Sequence, residues 1–331
     1  MKKTYKAAII GLGQIGSTFD DDPKRKEIWS HAGAFGAVSK IGSIVGSDLD
    51  PVKRNKFSKR DKVARIYKDY REMLAKEEID ILSICSPTPF HYEMAKEALK
   101  YHIKAIFMEK PITMTVSQGK EIVSVCKKKK VVIAVNHTRR WDMDYIFPKK
   151  LIEKGEIGEV RSIIGYYSDK ILNIGTHLID IMRMYAGEIQ WVVGEYVIKK
   201  MEDPTLSGYM MFSQGISGFL VPQGKKETLI FELDIIGSRG RLRVTDNGRI
   251  CELYKYKNSR NYSGYEELER CPVKKPKMQG NRLILAIKDI IGCLEGRDRI
   301  PACSGEDGLK NIAVAHALIN SADRSNEKVK I

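Results

Sequence analysis

The sequence predicts an α/β chain in two parts: an N-terminal doubly wound parallel sheet, then an α/β region built on a large, mostly antiparallel open sheet. Three observations predict it. Short, continuously apolar runs alternate with helical segments up to about residue 135, the pattern of strands buried on both faces. Beyond that point apolar runs follow one another through glycine-containing turns, the pattern of hairpins. A length of 331 residues also exceeds what one core usually serves. The expected division is residues 1–135 and 136–331.

The elements follow in order. YKAAIIG (5–11) and SIVGSD (43–48) read as strands, and DILSICSP (80–87) as a third. EMAKEALKY (93–101) places Met94, Ala95, Ala98 and Leu99 on one helical face. AIFMEKP (105–111) is a strand stopped by proline, which cannot donate to a ladder. A helix carrying Ile122, Val123 and Val125 leads to the strand VVIAVN (131–136). In the second part, YIFPKKLIEKGEIG (145–158) reads as a helix, GEVRSIIGYYS (158–168) as a strand and NIGTHLIDIMRMYAG (173–187) as a helix. WVVGEYVIKK, LSGYMMFSQGISGFLVP and the run from Glu227 to Tyr256 read as consecutive strands. The closing helix SGEDGLKNIAVAHALINSA (304–322) opens with Ser304 and Asp307 at capping-box spacing.

Charge is lopsided, with 57 Lys and Arg against 42 Asp and Glu, a net +15. Such an excess suits nucleic acid, an anionic membrane surface or an acidic small molecule, or is simply a basic surface. No nucleic-acid recognition motif accompanies it, and the lysines are spread out apart from the run at 127–130. The expectation is therefore no nucleic-acid and no membrane partner. The six cysteines, at 85, 126, 251, 271, 293 and 303, form no C-x-x-C pair. A disulfide framework and a metal site are both disfavoured. The apolar start AAII is cut at once by GLGQIG, unlike a signal peptide, and no run reaches membrane-spanning length. The expected location is the cytoplasm.

GLGQIG fits G-x-G-x-x-G directly after a β-run, the context that pattern requires. Gly11 makes the tight turn, Gly13 lets the main chain approach a pyrophosphate, and Gly16 allows close helix packing. Gln14 and Ile15 complete the phosphate contact, with a helix N-terminus facing the phosphates. Asp48, ending the second strand, is the carboxylate for the adenosine ribose. It lies farther from the glycines than the usual spacing of about 20, because STFDDDPKRKEIWSHAGAFGAV enlarges the first crossover. A carboxylate there repels a 2′-phosphate, which favours NAD over NADP, although Lys53 and Arg54 stand nearby.

AIIGLGQIGS, SICSPTPFHYEMAKEAL, MEKPIT, NIGTHLID and GEDGLKN together resemble the glucose-fructose oxidoreductase/inositol dehydrogenase/MocA (Gfo/Idh/MocA) family, across nearly the whole chain. The resemblance implies a Rossmann domain followed by an α/β domain whose open sheet serves oligomer contacts, so a homodimer or homotetramer is expected. It implies that Lys110 of the EKP tripeptide hydrogen-bonds the reacting hydroxyl beside the nicotinamide ribose, with Glu109 and Lys110 both contacting the cofactor. It also implies that His177 is the acid/base, and that Ser86, Pro87, Thr88 and His91 form a cofactor-side loop.

Elementary chemistry supports that division. Oxidising an alcohol releases a hydride and a proton, so a base titrating near neutrality is wanted at the oxygen. Histidine suits this unperturbed, while lysine serves as an ammonium that stabilises developing alkoxide. The chain departs from the family at Asn173, where many relatives carry Asp four residues before the histidine. An amide can hold a substrate hydroxyl but cannot take a proton. Asp180, three residues after His177, could orient the imidazole or be structural.

Asn136, Arg139, Arg140 and Trp141 follow the last parallel strand and are expected at the substrate, as are Tyr166, Tyr167 and Lys170. His31 in WSHAG either reaches cofactor or substrate or merely starts a helix. The whole predicts an NAD-dependent oxidoreductase acting on a secondary hydroxyl of a sugar, cyclitol or nucleotide sugar, with a basic balance that tilts toward an anionic substrate. The alternative is a catalytically silent sugar or dinucleotide sensor on the same fold.

Overall fold

The computed structural model describes residues 4–200, 202–223, 228–276, 281–296 and 300–331. Glu227, the expected start of one strand, lies outside them. The chain forms two compact units, Met1–Trp141 with Gln279–Leu309, and Asp142–Met278 with Lys310–Ile331. This differs from the single boundary expected at 135/136 in that residues 279–309 return to the first unit.

In the first unit the chain runs β1 (Tyr5–Ile10), α1 (His31–Ala37), β2 (Ile41–Ser47), α2 (Pro51–Phe57), β3 (Val63–Tyr67) and α3 (Tyr70–Lys76). It continues through β4 (Ile81–Ile84), α4 (His91–Ala98), β5 (Ala105–Met108), α5 (Val116–Lys129) and β6 (Val132–Val135). The strands pair in parallel in the order β3-β2-β1-β4-β5-β6, the Rossmann order. All four residues of β4 and of β5 are buried, as expected for strands covered on both faces. β3 is a sheet edge whose middle side chains face solvent, so its sequence, VARIY among charged residues, carries no apolar run to announce it.

The second unit begins with α6 (Met143–Glu153), β7 (Val160–Tyr167), α7 (Thr176–Ala186), β8 (Ile189–Ile198), β9 (Thr205–Phe212) and β10 (Ser217–Pro222). It goes on with β11 (Phe231–Gly237), β12 (Gly240–Thr245), β13 (Ile250–Asn258) and β14 (Glu266–Cys271). Helix α8 (Arg282–Leu294) then belongs to the first unit, before α9 (Gly305–Asp323) and β15 (Val329–Lys330). The sheet of the second unit has the order β14-β13-β12-β11-β7-β10-β9-β8-β15, antiparallel except where β7 meets β10. One face carries α7 and α9. Gly194 and Gly208 let α9 settle onto it: a Cβ on Gly194 would stand 2.3 Å from the Leu318 carbonyl oxygen. On the other face Trp191, Tyr209 and Phe219 form a ladder, with neighbouring ring centroids 5.3 and 5.1 Å apart.

Helix α8 explains the return of the chain. Leu283, Ala286, Ile287, Ile290 and Ile291 are buried at helical spacing, and the helix packs on α1, β6 and the turn at 138–141. Asp289 accepts the Trp141 indole N–H at 2.8 Å. The capping box of α9 forms reciprocally: the Asp307 N–H donates to the Ser304 hydroxyl at 3.2 Å, and the Ser304 N–H to the Asp307 carboxylate at 2.9 Å.

Candidate active site

In the first unit the glycine loop lies where β1 and β4 are neighbours, the switch point at which open α/β sheets take ligands. Gly11 has a φ of +90°, and a Cβ there would stand 2.8 Å from the Ser86 main-chain nitrogen. A Cβ on Gly16 would meet the Gly11 carbonyl oxygen at 2.0 Å, whereas one on Gly13 would meet no described atom within 4 Å. The loop is thus closed on the inside and open at Gly13. The helix expected directly after the glycines is a single turn: the Ser17 N–H donates to the Gly13 carbonyl at 2.8 Å, and a short 3-10 segment (Thr18–Asp21) follows. The ladder resumes at α1, where the N–H groups of His31 and Ala32 donate to the carbonyls of Ile15 and Gly16 at 2.9 and 3.0 Å. Residues 17–30 are therefore an excursion from one interrupted helix. Asp20 closes it, accepting from the Trp29 N–H at 2.6 Å and the Ser30 hydroxyl at 2.5 Å, while Ser30 caps α1 through the Gly33 N–H.

Asp48 ends β2. One carboxylate oxygen accepts the Leu12 N–H at 2.8 Å and the other the Asp50 N–H at 2.9 Å. A carboxylate has about four acceptor sites, so lone pairs remain for ribose hydroxyls. Of the two nearby cations, Arg54 donates through Nη1 to the carbonyls of Asp48 and Leu49, and Lys53 lies 3.9 Å from Asp50.

Past β4, Pro87 and Thr88 begin a short turn into α4, and the Ser86 hydroxyl is buried without a partner among the described residues. His91 is 1% exposed, with its ring nitrogens 2.9 Å from the Pro111 carbonyl and 2.8 Å from the Ser86 carbonyl. Burial lowers its pKa against the pull of those carbonyls, so the neutral ring donates to one of them at a time. His91 thus fastens the Ser86 loop to the EKP segment, a structural task rather than the cofactor contact expected.

Lys110 is half-buried just past β5. Beneath it Glu109 is 7% exposed, and its carboxylate meets His31 Nε2 at 3.0 Å and the Asn136 amide at 2.5 Å. Asn136, 2% exposed, turns its amide to this carboxylate instead of outward to substrate. Trp141, 5% exposed, packs edge-on against Phe107 and donates to Asp289, so it is a core residue and the expected substrate contact is corrected. Arg140 reaches Asp307 at 3.4 Å, and Arg139 lies in the same turn.

In the second unit a wide π-type turn, Ile171–Gly175, leads into α7. His177, on the first turn of α7, is 7% exposed. The Asn173 amide donates to Asp169 at 2.8 Å, so a carboxylate four residues earlier in the chain holds this amide. Asp203 accepts the Leu172 N–H at 2.8 Å. Asp180 is fully buried and accepts from Asn311 at 2.8 Å, while Arg183 donates to the same Asn311 at 2.6 Å and to Glu188. These bonds tie α7 to α9. Tyr167 is fully buried, its hydroxyl donating to the Leu206 carbonyl at 2.7 Å, which corrects its expected place at the substrate. The sequence held no sign of Asp203; Asp169 was legible only as an Asp-Asn pair four residues apart.

A dinucleotide fits the first unit on three counts: the open main chain at Gly13, the spare acceptor capacity of Asp48 and the buried Ser86 hydroxyl. Comparison with known proteins agrees. Residues 5–137 match the profile described as oxidoreductase family, NAD-binding Rossmann fold, and residues 170–331 the oxidoreductase family C-terminal alpha/beta domain. The chain belongs to the Gfo/Idh/MocA oxidoreductase family. Among its relatives, scyllo-inositol 2-dehydrogenase (NADP(+)) IolW of Bacillus subtilis (strain 168) is 26% identical over 76% of this chain and 69% of its own length. YrbE of the same organism, an uncharacterized oxidoreductase, is 30% identical over 48% of this chain, a match spanning only 42% of that relative. In fold the chain is similar to levoglucosan dehydrogenase solved with NADH and L-sorbose, with a TM-score of 0.82 and 17% identity over 99% of both chains. Among the described residues no helix is long and apolar enough to cross a membrane, and no cluster of three or more His, Cys, Asp or Glu could hold a metal.

Proposed function

We propose that this protein is a dehydrogenase that moves a hydride between NAD and a secondary hydroxyl or ketone of a sugar, cyclitol or nucleotide sugar. The observation that carries the reading is the open glycine cradle with Asp48, standing on the same sheet that ends in Lys110. The first unit serves the cofactor and the second the substrate and self-association.

Bound nicotinamide would accept or supply the hydride. The main chain from Gly11 through Gln14 and Ile15 to Gly16 binds the diphosphate, and Asp48 holds the adenosine ribose. NAD is favoured over NADP because a 2′-phosphate would meet the Asp48 charge, with Arg54 and Lys53 the nearby cations that act against that preference. Lys110, as an ammonium, donates to the reacting oxygen and stabilises negative charge as it grows there. As the C–H pair leaves as hydride, the O–H proton passes to the His177 ring, and it returns from His177 when a ketone is reduced. Asn173, oriented by Asp169, holds a substrate hydroxyl and takes no proton. Arg139 and Arg140, the latter paired with Asp307, are the cations proposed to face an anionic sugar.

The test is reduced-nicotinamide absorbance with wild type and Lys110→Ala, each given NAD or NADP and a panel of free sugars, inositols, sugar phosphates and nucleotide sugars. The expected result is turnover with NAD that falls about 10²- to 10⁴-fold in the variant. Binding of NAD with silence across the panel would favour the sensor instead.

A further inference from the structure

A buried polar cluster lies under Lys110, built from the ends of three adjacent strands and the start of α1. Ser83 comes from β4, Glu109 follows β5, Asn136 follows β6, and His31 begins the resumed helix. His31 is fully buried, with Nδ1 2.8 Å from the Ser83 hydroxyl and Nε2 3.0 Å from Glu109 Oε1. Asn136 donates to the same Oε1, and the other carboxylate oxygen lies 3.3 Å from the Lys110 main-chain nitrogen. The Ser83 hydroxyl can donate to Nδ1 or accept from it, so Nε2–H can point at Glu109 whether the ring is neutral or charged.

A carboxylate in such a place needs donors, because burial alone would protonate it. Burial does act against the charge of Glu109. The His31 ring, the Asn136 amide and the Lys110 charge outweigh it, leaving the carboxyl below its ordinary range. The other titratable groups facing it stay uncharged: burial and the Glu109 charge push the Cys85 thiol up, and burial holds His91 neutral. The enlarged crossover is what delivers the principal donor, since the helix that breaks at Gly16 resumes only at His31.

We propose that His31 is a positioning residue for Lys110: with Asn136 it keeps Glu109 ionised, and that fixed negative charge keeps Lys110 an ammonium at the strand end. The catalytic consequence rests on the dehydrogenase reading, but the charge relation does not, and the test separates them. Acetylation of Lys110 by acetic anhydride, followed against pH by peptide mass spectrometry, reads the neutral amine without any substrate. In Glu109→Gln and in His31→Leu the labelling midpoint should fall by about one pH unit, roughly a tenfold rise in labelling at fixed pH below it. In His31→Gln, whose amide can still donate to Glu109, it should stay near wild type. The double variant Glu109→Gln/His31→Leu should move no further than either single one. Equal midpoints in wild type and Glu109→Gln, both folded by thermal melting, would overturn the proposal, even if His31→Leu fails to fold. So would a shift in His31→Gln as large as in His31→Leu. If the midpoints move as expected while wild type turns over no substrate, the charge relation stands and the dehydrogenase reading falls. If both hold, Glu109→Gln should shift the pH profile of kcat with KM for NAD little changed.

Discussion

Asp203 sits beside the turn that carries Asn173, and burial pushes its carboxyl up to about 6 against the Leu172 N–H and the Lys170 charge. The unfolded chain releases that proton near 3.8. Between those two values the native state holds more proton than the unfolded one, so stability falls as pH rises, and the loss persists above pH 6. Asp203→Asn keeps an acceptor for Leu172 and removes the ionisation. It should be more stable than wild type by on the order of 1 kcal/mol at pH 8, allowing for the partial exposure of the group. The advantage should vanish below about pH 4, as urea unfolding at several pH values would show; an advantage independent of pH would refute it. At this scale the sequence was legible wherever a residue's role is local. Gly11, Gly13 and Gly16 declare their main-chain geometry by neighbours a few positions away. His31 and Glu109, 78 residues apart, do not, because only the packing of α1 on the sheet brings them together.

The glycine loop allows a sharper experiment than its motif does. Gly13→Ala adds a methyl into open space, so the melting temperature should change little while NADH affinity, followed by fluorescence, falls at least tenfold. Gly16→Ala drives a methyl into the Gly11 carbonyl and should lose both, with overpacking costing about 1–3 kcal/mol. Unchanged NADH affinity in Gly13→Ala would remove the cradle from consideration. Elements were readable where burial is two-sided or strictly periodic: β1, β4, β5 and β6 as apolar runs, α4 by the face of Met94, Ala95, Ala98 and Leu99. β3 escaped because an edge strand needs few apolar residues. The interrupted helix after Gly16 could not be seen, since the hydrogen bonds that rejoin it span the excursion.

For the molecule as a whole, the outer face of the second sheet is the surface on which the proposed self-association is tested. Phe219 is 41% exposed there and Val197 53%, beside the Trp191–Tyr209–Phe219 ladder. Wild type should scatter light as a dimer or tetramer and Phe219→Glu as a smaller species with an unaltered far-ultraviolet spectrum. A monomeric wild type would leave that face unexplained. The fold class was legible from the alternation of signals, yet the course of the chain between units was not, because nothing in the segment that forms α8 names the seat it takes on α1 and β6. That return has a consequence for how the protein is made. The first unit holds residues 1–141 and 279–309, so a ribosome that has translated the whole parallel sheet has not yet supplied the helix that covers part of it. The nascent chain must carry an unfinished apolar seat on α1 and β6 through the synthesis of nearly all of the second unit. This is a long window in which chaperones have a surface to grip, and cleavage of a chain stalled before residue 279 would meet an incompletely closed core.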